Sequence, residues 1–171
     1  MSLSDEDGTI KKLKSSPHKD VHVRIAEALG LLGMTEADEA RKDAIVDEIL
    51  DQYTSKSEKL LEACGMALVF IWGGADYDDR RHLLAEAAVG ATGAMTSSAI
   101  PSLDDSMKTK ATTASTVLRS KVLKFVVNKC ISSTRAEARL AGATWLLSLI
   151  EYVASTPEIS NNISDIQQAF C

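Results

Sequence analysis

His18 and His22 stand four residues apart, the spacing that places two metal ligands on one face of a helix. A metal needs further ligands, and no Cys, carboxylate pair or third His follows at a ligand spacing, so no metal site is expected. Asp76, Asp78 and Asp79 in "DYDDRR" offer oxygen ligands for a hard cation, but the segment lacks the glycine and the closing glutamate of a calcium loop. These carboxylates follow Gly73-Gly74 and better complement the N-terminal dipole of a helix expected over "DRRHLLAEAAVGA". They are retained as a candidate partner contact.

Nucleophilic and phosphate-binding signatures are missing. No serine sits in G-x-S-x-G, and His82 follows two arginines on the same expected helix rather than standing beside a nucleophile. There is neither G-x-x-x-x-G-K-[ST] nor G-x-G-x-x-G, and Gly90 with Gly93 falls in a run of small residues that suits close helix packing. Neither catalysis nor a cofactor is expected. Lys121, Lys124 and Lys129 share a segment with Leu118, Val122 and Phe125 and form a basic ridge, either a partner contact or a solvated face. Cys64, Cys130 and Cys171 are widely spaced and odd in number, which points to reduced thiols and a cytoplasmic, or also nuclear, setting.

Composition sets the frame for these residues. The 171-residue chain is 45% hydrophobic and 25% charged, enough for one domain with a core. Only 5% of residues are aromatic and period-two patterns are scarce, so the class expected is all-α. The net charge of −5 disfavours a nucleic-acid surface, and Lys11, Lys12, Lys14 and Lys19 are few and lack interleaved aromatics. The opening residues do not form a signal peptide, and the longest apolar runs, "MALVFIW" and "LAGATWLLSLI", fall short of the ~20 residues of a membrane span.

Helix starts are written into the chain. Capping boxes are expected at Thr35-x-x-Asp38, Ser55-x-x-Glu58 and Thr134-x-x-Glu137, and Thr156-Pro157 reads as an N-cap followed by Pro at the first helical position. Between Thr92 and Thr116, eleven of twenty-five residues are Ser or Thr, so a flexible loop is expected around residues 97–107. Such a loop is a tolerated insertion or a phosphorylation site.

The segments also resemble one another. "DVHVRIAEALGLL" from Asp20 superposes on "RAEARLAGATWLL" from Arg135, with "LLEACGMALVF" from Leu60 between them. Arg24 is offset by 38 from Glu62 and by 115 from Arg139, close to one and three units of the ~38-residue HEAT or armadillo repeat. The helix expected over 137–153 gathers Glu137, Thr144, Ser148 and Glu151 into a narrow stripe, with Ala138, Ala141, Trp145 and Leu149 on one side and Leu140, Leu147 and Ile150 on another. A helix apolar on two sides needs neighbours on both, as an inner helix of an α-solenoid has. A compact helical bundle is the alternative architecture. The core expected comprises Arg24, Ile25, Leu29, Leu61, Cys64, Leu68, Leu140, Ala141, Trp145, Leu146 and Leu149, in a single segment of about eight helices.

The run from Val117 to Phe170 resembles a segment of the large HEAT-repeat proteasome adaptor and scaffold proteins. The block Ala141-Gly-Ala-Thr-Trp-Leu-Leu-Ser-Leu149, followed by Pro157-Glu-Ile159 and Ile166-Gln-Gln-Ala-Phe170, carries most of that likeness. Residues 60–74, "LLEACGMALVFIWGG", are similar to the family's helix of the type Ala-x-Gly-x-Ala-Leu ending in glycines. Together these segments cover about half the chain, while residues 1–17 and the Ser/Thr-rich loop match nothing in the family.

The resemblance implies an excised piece of a longer solenoid and a non-enzymatic protein that binds the 26S proteasome and tethers its core and regulatory particles. The alternative is a HEAT or armadillo interaction fragment of another assembly: a trafficking adaptor, a transport receptor or a tubulin-folding cofactor. Apolar repeat faces left uncovered at the two ends are expected to drive self-association.

Overall fold

A computed structural model describes residues 17–73 and 112–171. Every regular element among them is helical: α1 (Pro17–Thr35), α2 (Glu39–Leu50) with a 3₁₀ turn (Asp51–Thr54), α3 (Glu58–Trp72), α4 (Thr116–Lys124), α5 (Ala136–Val153), α6 (Pro157–Ser160) and α7 (Ile163–Ala169). α4 runs on as a π-helical segment over Phe125–Ile131. The all-α class is thus observed, with seven α-helices among the described residues.

The helices begin near the expected points; α6 starts at Thr156-Pro157 as expected, but the three expected capping boxes use different residues. Asp38 caps α2, its Oδ1 accepting the N–H groups of Ala40 and Arg41, whereas Thr35 closes α1 by donating to the Leu32 carbonyl. Ser57 rather than Ser55 caps α3 by accepting from the Leu60 N–H; Ser55 Oγ accepts from Ser57 N. α5 starts after Arg135 with no side-chain cap, and Ser133 Oγ takes the Arg135 N–H instead. For α2 and α3 the oxygen nearest the free helix N–H groups does the capping, and extended backbone three and two residues beyond the expected Thr35 and Ser55 moved that role.

α3 lies at the centre, with α1 on one side and α5 on the other. Gly30 of α1 faces Ala67 and Gly33 faces Ile71, so α1 and α3 run parallel. On the other side Trp145 Nε1 donates to the Leu61 carbonyl at 3.0 Å, and a Cβ on Gly65 would meet Ser148, so α3 and α5 also run parallel. The positions brought together differ by 37 or 38 between α1 and α3 and by 83 or 84 between α3 and α5. α2 packs behind α1 and α3, and the π segment packs behind α5. Gly142 lets α5 approach Cys130 and Ile131, where a Cβ would come within 2.7 Å of the Cys130 Cβ.

Burial corrects part of the expected core. Leu61, Cys64, Leu68, Ala141, Trp145, Leu146 and Leu149 are all buried, and Leu29 is half-buried against them. Arg24, Ile25 and Leu140 are exposed instead. Arg24 pairs with Glu27 on the surface, and α1 turns Ala26, Gly30 and Gly33 inward because a close parallel approach to α3 requires small residues. Leu140 shares the second apolar side of α5 with Leu147 and Ile150, which are 66% and 43% exposed. The helix enclosed on most sides is therefore α3, where Leu68 to Trp72 are all buried, and not α5.

Two substitutions test this packing. Trp145→Ala is expected to lose about 3–5 kcal/mol in urea denaturation, since the fully enclosed indole leaves both a cavity and the Leu61 carbonyl contact. Gly30→Ala is expected to destabilise by ~1–3 kcal/mol, because the new methyl would lie 2.7 Å from the Ala67 Cα. A stabilisation, as Gly→Ala gives on an open helix surface, would mean that the two backbones are not in contact.

Candidate protein-interaction surface

Chemistry-bearing residues do not converge. Among the described residues no three His, Cys, Asp or Glu side chains are grouped to hold a metal ion. His22 is exposed on α1, while the side chain of His18 lies outside the described residues, as do His82, Asp76, Asp78, Asp79 and the loop expected at 97–107. The far end of the Ser/Thr-rich stretch is described and is structural. Thr112 donates its N–H to the Met34 carbonyl at 2.8 Å, and its hydroxyl donates to the Glu36 carbonyl at 2.7 Å and accepts from the buried Lys42 Nζ. Ser115 caps α4, its Oγ accepting the Leu118 N–H, and meets Glu39 across the gap to α2. A Ser/Thr count does not distinguish loop residues from residues that cap and stitch.

The lysine ridge divides in two. Lys121 Nζ reaches Asp43 at 2.7 Å and Asp47 at 2.5 Å, clamping α4 to α2. Partial burial lowers its pKa, but hydrogen bonds and charge from Asp43 and Asp47 outweigh that and raise it, so the ammonium stays charged. Lys129 sits 5.7 Å from the Tyr53 ring centre, and Tyr53 meets Phe125 edge to face. Lys124 is exposed and lines an open groove of about 650 Å³ with Val117, Phe125 and Asn128. Val117 is 80% exposed at its mouth. An apolar floor with a basic rim suits a protein surface better than a reacting small molecule, which needs an enclosed site.

A buried polar cluster at the end of α3 escaped the sequence reading. Gly73, at φ 62°, ends the helix, and Arg119 of α4 reaches in to satisfy its last carbonyls: Nη2 donates to Gly73 O at 2.7 Å and to Trp72 O at 3.0 Å. Nη1 donates to Glu158 of α6 at 3.2 Å, with both side chains under 10% exposed, and the guanidinium lies 5.5 Å from the Trp72 ring centre. Trp72 Nε1 donates to Thr156, whose hydroxyl returns a bond to the Val153 carbonyl. The available signal was one arginine at the apolar spacing of Leu118 and Val122.

The thiols are inert where they are buried. Burial pushes Cys64 up to about 12 and Cys130 to about 11, the latter against the opposing charge of Lys129. Only Cys171 is exposed. No helix among the described residues is long and apolar enough to cross a membrane. No family model, curated protein or solved structure matches the chain.

Two measurements follow from these groups. At neutral pH a thiol reagent should titrate one of the three cysteines in the native chain and all three after unfolding; rapid reaction of two or more would show that Cys64 or Cys130 is reachable. Arg119→Met is expected to lose about 3–5 kcal/mol, because Glu158 and the Gly73 carbonyl lose the guanidinium while the Trp72 carbonyl keeps only the Ala114 N–H among the described donors. A loss under ~1 kcal/mol would mean that water replaces the guanidinium.

Proposed function

We propose that the chain is a non-catalytic segment of an α-solenoid of HEAT or armadillo type, whose helix faces hold protein partners. The observation that carries this is the parallel run of α1, α3 and α5, side by side, with α2 and the π segment packed behind. Repeated helix pairs stacked in one direction produce such a run, whereas neighbours in an up-and-down bundle are antiparallel. The open apolar faces of α1 and α5 and the Lys124 groove supply contact surfaces.

The partner proposed is the 26S proteasome, with the solenoid tethering its core and regulatory particles; that rests on the Ala141–Leu149 block and its resemblance to proteasome scaffolds. Immobilised chain is expected to retain purified core or regulatory particle, and Lys124→Glu to weaken retention if the groove takes part. A chain shown folded by circular dichroism that retains neither particle would leave the scaffold role to another assembly.

A further inference from the structure

Two apolar stripes lie at opposite ends of the row formed by α1, α3 and α5. On α1, Val21, Ile25, Ala28 and Leu32 recur at steps of four, three and four, and all are exposed. They lie across the helix from Gly30 and Gly33, which meet α3. On α5, Leu140, Ala143, Leu147 and Ile150 recur at steps of three, four and three and are likewise exposed. They lie across the helix from Trp145, which meets α3, and well away from Gly142, which meets the π segment. Protein surfaces rarely carry one such seam exposed, and the described residues carry two, on one row.

We propose that the α5 stripe of one copy packs against the α1 stripe of a second copy, continuing the parallel row head to tail. The two joints already inside the row are likewise between parallel helices, with a glycine of one helix admitting its neighbour closely. Setting Ile25 against Leu147 puts Val21 opposite Ala143, Ala28 opposite Ile150 and Leu32 opposite the exposed Ala154. Val21, Leu32 and Ile150 then each meet an alanine, so the two ridges interdigitate around the central Ile25–Leu147 pair. The same register brings Arg24, which flanks Ile25, to the edge carrying Glu151, which makes no ion pair among the described residues. Because the two faces differ, the contact is heterologous and does not close at a dimer.

The inference rests on the parallel row and not on any proteasome contact, so retention of particles and self-association can each fail alone. Two stripes of four side chains make an interface below the ~1,200 Å² of standard complexes, so association is weak and is sought at the highest attainable concentration. In sedimentation equilibrium the wild-type average mass is expected to climb past that of a dimer. Leu147→Glu and Ile25→Glu, each at an exposed position, should both be monomeric with an unchanged circular dichroism spectrum. Mixed in equal amounts, they should form a one-to-one dimer and nothing larger, since each retains the face the other has lost. Arg24→Glu should weaken wild-type association, and adding Glu151→Arg should restore it. A wild type monomeric throughout, an Ile25→Glu chain that still self-associates, or a mixture that stays monomeric would each overturn the proposal.

Discussion

The end of α3 is the point on which the architecture depends. A helix terminus leaves its last carbonyls without intrahelical donors, and burial removes the water that would otherwise serve them. Arg119 meets that need, fills the space beside Trp72 and places its positive charge at the negative end of the helix dipole. The buried cation in turn requires a carboxylate, which Glu158 supplies from α6. A pair of this sort adds little net stability over an apolar substitute, but it fixes which elements meet. One guanidinium thereby ties together α3, α4 and the chain beyond α5.

Trp145 makes the matching joint near the start of α3. Its ring is wholly buried and its N–H needs an acceptor, which the Leu61 carbonyl provides. Gly65 leaves room for Ser148 beside it. These contacts set the direction of α5 against α3, as Gly30 and Gly33 set that of α1. The result is a row in which α3 is enclosed and its two flanking helices each keep an apolar side open.

That openness explains where the reading of burial from periodicity failed. Leu140, Leu147 and Ile150 are as apolar as the buried positions of α5, and so are Val21, Ile25 and Leu32 on α1. Periodicity identifies which residues share a face; it carries nothing about whether that face has a neighbour. Both helices lie at the edges of the described row, where a neighbour is lacking on one side. The caps of α2 and α3 shifted by three and two positions for a related reason, since several Ser, Thr and Asp side chains in each linker are competent acceptors and the local backbone selects one.

The amino-acid sequence by itself determined the helical class, the starts of α2, α3, α5 and α6 to within a few residues, and the burial of Leu61, Cys64, Leu68, Trp145 and Leu149. All of these follow from short-range propensity and 3.6-residue spacing. Only the tertiary structure decided that Arg119 is a buried link rather than part of a basic surface, that Lys121 is held by Asp43 and Asp47, and that Lys42 ends on Thr112. Each of these joins residues 39 to 78 positions apart, and a side chain's partner at that distance is fixed by how the helices pack, which no local pattern records.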